Sequence, residues 1–310
     1  MNPQHEPLIR KRPWFPPLII PTPCQDAQTG VIALPDFARE LDLAEFITVV
    51  TTTNPIPSIP STKIIYATQK SLFRIAAFKH CKKLIVFDGV QPQFSSRASD
   101  YEQYKRNIAH HARTDSYFAN TDLVFCSDWV GLAGAIRTAF EHVTTPFIFI
   151  HQHDFFLVKN FDLRGVIATM LVNENVKHVR LGAGPTNTYF RMHDWHIDEV
   201  IEGPYYVPLS RTFGWSDNDH VTTLDYYLNF VLPRCHRPRV FIEHVLNPAL
   251  RQSIRQYGPD GHKPFGTYFY GAPTDGDYIH HIDGRERVTS RSSLERIRRN
   301  LDAVGEGEKP

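Results

Sequence analysis

The chain has 310 residues, of which 42% are hydrophobic and 22% charged, and its formal net charge is +1. These values are typical of a soluble globular protein with one large domain or two small ones. The balanced charge argues against broad electrostatic attraction to nucleic acid or to an acidic membrane. No apolar run has the length of a membrane span.

The cysteines are widely spaced and form no C-x-x-C pair, so the sequence signals neither a zinc knuckle nor a redox motif. We interpret them as small buried hydrophobic residues of a reducing compartment; they are Cys24, Cys81, Cys126 and Cys235. The basic residues at 10–12 are not followed by the apolar region of a secretory signal. We therefore expect a soluble, cytoplasmic protein without an integral membrane segment.

A proline-rich extension over 1–45 opens the chain and predicts extended or irregular structure, apart from a short helix over 36–46. The β-branched run at 46–53 predicts a buried strand. A capped helix over about 61–78 follows, and 83–89 predicts a second strand that ends in Asp-Gly. This order predicts a βαβ unit and hence a parallel sheet.

Helices and strands continue to alternate up to about residue 181. We predict helices over 100–113, 132–143 and 163–173, and strands over 121–127, 147–150 and 176–181. Beyond them we predict a helix over 216–230, a strand over 239–244, an aperiodic region at 257–284 and a basic helix over 292–301. The fold class is therefore α/β, with a mixed, mostly parallel central sheet flanked by helices.

The strand over 147–150 ends abruptly in His151, Gln152, His153 and Asp154. Its continuous apolar sequence is typical of a strand that is buried on both faces. An open α/β sheet binds its ligand at the carboxyl ends of such strands. The polar cluster is therefore a candidate ligand site, and the alternative is a polar loop after a strand.

In order and spacing, four stretches of the chain resemble a family 2-like glycosyltransferase with the GT-A fold. They are ITVVTTTNP, LIVFDG, DWVGLAGAIRTAFEHV and FIFIHQHD, within about residues 46–232. The resemblance implies a GT-A (Rossmann-like) domain over 46–285 with an irregular C-terminal acceptor region. The proline-rich extension precedes this domain, and a basic C-terminal helix and tail at 286–310 follow it.

The resemblance implies a nucleotide-diphosphate sugar, UDP- or GDP-linked, as donor and a hydroxyl of a glycan or glycoconjugate as acceptor. It assigns Thr52 and Asp88 to the base and ribose of the donor. Arg137, His151 and His153 are assigned to its diphosphate. The alternatives are that Asp88 is a turn residue of Asp-Gly and that Arg137 is a solvated surface residue.

The resemblance also implies a divalent metal, Mn²⁺ or Mg²⁺. Asp154 and His153 would bind it, together with a late histidine, for which we choose His281 over His244 and His280. The family normally presents two aspartates, whereas HQHD has one carboxylate. The metal would therefore bind weakly, or cations such as Arg137 would neutralise the diphosphate without it.

An inverting transfer needs a general base for the acceptor hydroxyl. The resemblance places this acid in the run Trp215–His220, where Asp217 is the first choice and Asp219 the second. The alternative is that these residues only cap a helix.

Two other functions compete with glycosyl transfer. A sugar nucleotidyltransferase needs a glycine-rich, cationic phosphate loop after the first strand, and the loop 54–58 has neither glycine nor a cation. A non-catalytic protein that binds a sugar or nucleotide would explain the missing carboxylate in HQHD. Hydrolysis of a donor above background would distinguish an enzyme from such a binding protein.

Overall fold

A computed structural model describes residues 34–183, 206–237, 239–271 and 275–282. The strands are β1 Ile47–Thr53, β2 Lys82–Phe87, β3 Thr121–Phe125, β4 Phe147–Gln152, β5 Phe155–Leu157, β6 His178–Arg180, β7 Leu209–Arg211, β8 His220–Thr223, β9 Thr267–Tyr270 and β10 Ile279–His281. Eight of them form one sheet in the order β3-β2-β1-β4-β8-β6-β9-β7, and β5 pairs separately with β10. Only β8 and β7 run against their neighbours in the large sheet. The predicted mixed, mostly parallel sheet is therefore confirmed.

Helices cover the faces of this sheet. They are α1 Asp36–Glu40, α2 Leu43–Phe46, α3 Lys63–Leu72, α4 Ala76–His80, α5 Ala98–Thr114, α6 Gly131–Phe140, α7 Leu163–Val172, α8 Leu224–Tyr226, α9 Leu232–Arg234 and α10 Ile242–Tyr257. A π-helical turn joins α8 to α9. Within the described ranges, no helix is long and apolar enough to cross a membrane.

Strand β1 lies at the centre of the parallel half of the sheet, and all seven of its residues are buried. Its β-branched side chains suit a pleated surface that is covered on both faces. Val50 pairs in register with Leu84 of β2 and Ile150 of β4. Because these three strands are parallel, their carboxyl ends meet at one edge of the sheet.

Two apolar layers hold the strand ends in place. Phe78 and Phe149 pack with ring centroids 4.9 Å apart in the layer that also contains Val166 of α7. Ile136 of α6 and Leu246 of α10 belong to the layer on the other face. Close packing on both faces makes this edge of the sheet a rigid frame for a site.

The predicted helix over 216–230 is helical only from Leu224 onward, and the predicted strand over 239–244 is wrong. Strand β8 occupies 220–223 and pairs antiparallel with β4, so the helix begins only at Leu224, capped by Thr223. The run at 239–244 leads into α10, which buries Ile242, Leu246, Leu250 and Ile254 at four-residue spacing. Six residues were too short a window to show this period.

The predicted helix over 61–78 is two helices, because Ile75 adopts an extended backbone between α3 and α4. The short helix over 36–46 is likewise divided into α1 and α2. The region 257–284 contains β9 and β10, which its glycines obscured. The predicted extension up to residue 33, the basic helix over 292–301 and much of the acceptor region lie outside the described residues, so the domain boundaries stay predictions.

Candidate active site at the carboxyl ends of β1, β2 and β4

A cavity of about 440 Å³ opens at the edge where β1, β2 and β4 end. Its wall includes polar side chains from these strand ends, the start of α6, the segment before β8, and the segment before α10. The wall residues used below are Thr52, Asp88, Trp129, Gly131, Ala135, Gln152, His153, Asp154, Asp217, Arg239 and His281. Of the predicted site residues, Thr52, Asp88, His153, Asp154, Asp217 and His281 are brought together here.

Asp88 connects the end of β2 to the start of α6. Its Oδ1 accepts hydrogen bonds from the backbone N–H groups of Gly89 and Val130, both at 2.8 Å, and its Oδ2 accepts one from Gly131 at 3.0 Å. Burial raises the pKa of this carboxyl, although these hydrogen bonds and Arg239 oppose the rise. Because each carboxylate oxygen accepts about two hydrogen bonds, Oδ2 keeps capacity for a ligand.

Arg239, which is not among the predicted site residues, provides a cation at this cavity. Its Nε donates to the carbonyl oxygen of Trp129 at 3.0 Å, and its guanidinium lies 4.5 Å from the centre of the Trp129 ring. Within the described residues, its Nη groups have no hydrogen-bond partner. One signal in the sequence is an arginine between Pro238 and an apolar run, a pattern that predicts a strand.

Gly131 lets the backbone of Arg239 approach α6. The φ angle of Gly131 is +73°, and a Cβ atom there would lie 2.7 Å from the Cα of Arg239. Any other residue would be strained in this conformation and would displace Arg239. The glycine-rich start of the helix over 131–140 thus positions the cation of the cavity.

Arg137 does not lie at the cavity. It is exposed on the last turn of α6 and donates to the carbonyl oxygen of Leu232 at 3.3 Å. Ala135 lines the cavity, and two further residues rotate a side chain by about 200° around a helix. Arg137 therefore faces away from the strand ends.

His151 and Asp219 form a buried pair beneath the cavity. The Nδ1 of His151 lies 2.7 Å from Oδ2 of Asp219, whose Oδ1 accepts from the backbone N–H of Gln152 at 3.0 Å. Both side chains are fully buried, and neither lines the cavity. The pair ties β4 to the segment before β8, so neither residue faces a donor or an acceptor.

His153 and Asp154 follow β4 and face the cavity. The backbone N–H and the Nδ1 of His153 both lie 3.2 Å from the carbonyl oxygen of Thr52. Oδ2 of Asp154 lies 3.1 Å from Nε2 of His281 and 3.8 Å from Nε2 of His153. Burial alone would raise the pKa of Asp154, but the two histidines outweigh it and lower the pKa to about 2.

These residues offer ligands to a divalent cation. Oδ1 of Asp154 and Nε2 of His153 are buried and have no hydrogen-bond partner. The carboxylate of Asp154 has an imidazole nitrogen of each histidine within 3.8 Å, and a divalent cation binds carboxylate oxygen and, for Mn²⁺, imidazole nitrogen. In the described part of the chain no preformed cluster of three metal ligands exists, and His281 is hydrogen-bonded to Asp154.

Asp217 is the predicted general base that lines the cavity. Burial and the nearby carboxylate of Glu243 raise its pKa to about 7. Glu243 itself accepts a hydrogen bond from Oγ of Ser216 at 2.7 Å. The side-chain Nε2 of Gln152 donates to the backbone carbonyl of Asp217 at 2.9 Å and fixes this segment against β4.

The other two late histidines lie outside the cavity wall. His244 is exposed on α10, and Nδ1 of His280 lies 3.8 Å from a carboxylate oxygen of Asp277. His281 is the one of the three that reaches Asp154. Strand β10 pairs with β5 immediately after Asp154, which explains this approach.

No protein-family model and no curated protein matches the sequence. Among solved structures, the chain is similar to Staphylococcus aureus TarS (11% identity, TM-score 0.46, 76% of this chain and 36% of that one). It is also similar to the mannosyltransferase PcManGT of Pyrobaculum calidifontis, with 16% identity and a TM-score of 0.43 over 85% of this chain and 65% of that one. A third similar structure is described as a glucose-1-phosphate thymidylyltransferase of Bacillus anthracis, with 11% identity and a TM-score of 0.47 over 85% of this chain and 97% of that one. The chain thus spans less than two thirds of the first two proteins, and identities this low assign no activity.

Proposed function

We propose that the protein is a glycosyltransferase that moves a sugar from a nucleotide-diphosphate donor to a hydroxyl acceptor with inversion. One observation supports this proposal above the others. Two of the three carboxyl groups on the cavity wall have their acidity changed by their surroundings in opposite directions, since the pKa of Asp217 is raised to about 7 and that of Asp154 is lowered to about 2. Such a difference is expected of a site with one proton-transfer group and one permanent anion.

The donor would lie along the ends of β1 and β2. Oδ2 of Asp88 has capacity to accept from a ribose hydroxyl, and Thr52 lies beside it on the cavity wall. The unpaired Nη groups of Arg239 would bind the diphosphate, since a guanidinium matches phosphate oxygens bidentately. Trp129, which stacks on Arg239, holds that guanidinium in place.

Asp154, His153 and His281 would hold Mn²⁺ or Mg²⁺. When bound, the metal would offset the negative charge of the diphosphate. Histidine nitrogen suits Mn²⁺ better than Mg²⁺, which prefers oxygen. Nε2 of His153 and Oδ1 of Asp154, which are buried and have no hydrogen-bond partner, would be two of the ligands. His281 would become the third once its hydrogen bond to Oδ2 of Asp154 is broken.

In the reaction, the ionised carboxylate of Asp217 takes the proton of the acceptor hydroxyl. The hydroxyl oxygen then forms a bond to the anomeric carbon, while the bond from that carbon to the diphosphate oxygen breaks. The electron pair leaves with the nucleoside diphosphate, and Arg239 stabilises the negative charge that develops on it. Attack on the face opposite the leaving group inverts the configuration.

A thermal-shift panel tests donor binding. GDP-mannose and UDP-N-acetylglucosamine are included first, because PcManGT was solved with GDP-Man and Mn²⁺ and TarS 1–349 with UDP-GlcNAc. Ligand at a hundredfold its Kd adds about 2.7 kcal/mol, and each kcal/mol raises Tm by roughly 2–4 °C in a protein near this size. A shift with one nucleotide class supports the proposal, and no shift with any nucleotide contradicts it.

The Arg239→Gln variant should raise KM for the donor by about tenfold, because it loses a charged hydrogen-bond donor to the diphosphate. Arg137→Gln is the matched control, since Arg137 is exposed on the opposite face of α6, and its KM should equal that of the wild type. Steady-state kinetics of both variants measure this difference. An equal change in the two variants, or none in either, would remove Arg239 from the donor site.

The Glu243→Gln variant should shift the acidic limb of the pH–rate profile to lower pH. The negative charge of Glu243 contributes to the raised pKa of Asp217, so its removal lowers that pKa and leaves more Asp217 ionised at pH 6. Profiles of kcat/KM measure the shift, with the exposed Glu141→Gln as control. A profile that stays in place would show that Asp217 is not the titrating base.

A non-catalytic binding protein is the second candidate. It would bind nucleotide sugars in the same cavity and release no nucleotide from them. The raised pKa of Asp217 favours an enzyme, since a binding protein has no need of a proton-transfer group. A sugar nucleotidyltransferase is disfavoured by the loop after β1, which has no cation or glycine at 54–58.

A further inference from the structure

A second cleft, of about 370 Å³, lies along α3, away from the wall of the first cavity. Its wall includes Lys63, Tyr66 and Lys70 of α3, His111 of α5 and Phe156 of β5. Phe155 lines the first cavity and Phe156 the second. Because successive residues of a strand point to opposite faces, the two clefts lie on opposite sides of β5.

Two ammonium groups at this cleft are available to a ligand. Among the described residues, Lys63 has no hydrogen-bond or ion-pair partner for its side chain. The Nζ of Lys70 lies 5.4 Å from the centroid of the Tyr117 ring and likewise has no hydrogen-bond or ion-pair partner in the described part of the chain. The two lysines are seven residues apart, which places them on the same face of α3, about 10 Å apart along its axis.

The remaining polar groups of the cleft are already paired with each other. Oγ1 of Thr62 lies 3.1 Å from Nε2 of His111. The hydroxyl of Tyr66 donates to Asp115 at 2.9 Å, and Asp115 also accepts from the backbone N–H of Tyr117 at 2.9 Å. Asp115 is therefore already hydrogen-bonded within the protein. The two lysines give the cleft a positive charge next to its apolar wall residues.

We propose that this cleft binds a small molecule in which an anionic group, phosphate or carboxylate, is attached to an apolar ring. Lys63 and Lys70 would bind the anionic group. Tyr66 and Phe156 would contact the ring, and the volume lies within the range of small-molecule sites. This ligand would be distinct from the donor in the first cavity.

The second cleft is linked to the first through α3. On the face of α3 away from Lys63, Oγ1 of Thr68 donates to the carbonyl oxygen of His153 at 3.1 Å, and Nε2 of Gln69 donates to Oγ1 of Thr51 at 2.9 Å. A ligand that fixes Lys63 and Lys70 therefore contacts the helix that holds the ends of β1 and β4. The bound anion would therefore rest on the helix whose Thr68 contacts His153.

Isothermal titration with phenyl phosphate tests the proposal on the full chain. The Lys63→Met/Lys70→Met variant keeps the apolar stems and removes both charges, so it should weaken binding by about tenfold or more. Lys63→Arg/Lys70→Arg should restore binding. The control Lys79→Ala/Arg106→Ala removes two charges from exposed positions on α4 and α5 and should leave the affinity unchanged.

Related probes define the chemistry of the ligand. Inorganic phosphate and benzyl alcohol should each bind more weakly than phenyl phosphate, because each lacks one half of the ligand. Benzoate distinguishes a carboxylate ligand from a phosphate ligand. Affinity that is unchanged in the Met variant, or lost equally in the control, would overturn the proposal. So would binding that depends on Arg239 alone, since the probe would then occupy the first cavity.

Discussion

The Asp217→Asn variant should transfer sugar about 10²–10⁴-fold more slowly than the wild type, the range by which a general base accelerates a reaction. Asparagine keeps the shape of the side chain but cannot take the proton of the acceptor hydroxyl. Donor affinity should be unchanged, because Arg239 and Asp88 are intact. Single-turnover kinetics and donor titration measure the two quantities separately.

The stability of the Asp217→Asn variant distinguishes a catalytic role from a structural one. Folding raises the pKa of Asp217 from 3.8 to about 7, so the stability that this group contributes is lost as pH rises between those values. At pH 8 the folded wild type carries a buried, ionised carboxylate that asparagine removes. The Tm of the variant at pH 8 should therefore be no lower than that of the wild type.

The Asp219→Asn variant is the matched control, because Asp219 lies two residues away but is fully buried against His151. It breaks a 2.7 Å contact, so its main effect should be a lower Tm. If Asp217→Asn kept full activity, or lost activity only together with donor binding and stability, Asp217 would be a structural residue of the segment before β8.

The Asp154→Asn variant should lower kcat by about 10²–10³-fold, the usual cost of removing one group that stabilises developing charge. It should also abolish Mn²⁺ binding, because Asp154 is the carboxylate between His153 and His281. The electron paramagnetic resonance signal of free Mn²⁺, titrated without any substrate, measures binding independently of activity.

Asp154→Asn should also lower Tm at neutral pH. The histidines lower the pKa of Asp154 from 3.8 to about 2, so its ionised form stabilises the folded state above pH 3.8, and this contribution is lost as pH falls towards 2. A second variant therefore separates metal loss from instability. His281 is half exposed, and His281→Gln should weaken Mn²⁺ binding with a small change in Tm.

Wild-type protein that leaves the free Mn²⁺ signal unchanged would contradict the metal site. In that case Arg239 would be the main group that neutralises the diphosphate, and activity should persist in a chelator. If Asp154→Asn bound Mn²⁺ as tightly as the wild type, the cation would lie elsewhere in the protein.

The parallel half of the sheet was readable from the sequence because its strands are continuous β-branched or apolar runs. The run at 46–53 became β1, and FIFI became β4, each with a polar residue at its carboxyl end. Parallel strands that end at one edge bring those polar residues together. This rule predicted a ligand site at Asp154, the resemblance added Asp88, and both residues line the cavity.

The antiparallel strand β8 could not be predicted from the sequence. Without this strand, Asp219 was interpreted as a residue at the start of a helix. Four residues, His220–Thr223, are too few to show a period, and the preceding Ser-Asp-Asn-Asp resembles a helix cap. Pairing of β8 with β4 brings Asp219 within hydrogen-bond distance of His151. Strand alternation gave one usable signal, since His151 shares a face with Phe149, which it stacks against at 5.9 Å.

Arg239 could not be predicted because its position depends on contacts distant in the chain. It has a φ angle of +63°, which is uncommon for an arginine, and it packs against Gly131 more than a hundred residues earlier. The positions of Asp217 and Glu243 relative to each other are set in the same way, through the start of α10. Local patterns carry no information on such pairs.

The most direct measurement of the central claim is donor turnover with detection of the anomeric product by nuclear magnetic resonance. Wild-type protein is incubated with the donor that stabilises it and with a panel of glycan acceptors, in parallel with Asp217→Asn. The wild type should release nucleoside diphosphate and form a product in which the transferred sugar has the inverted configuration, and the variant should do neither. Binding of the donor without any release of nucleotide would contradict the account and identify a non-catalytic binding protein.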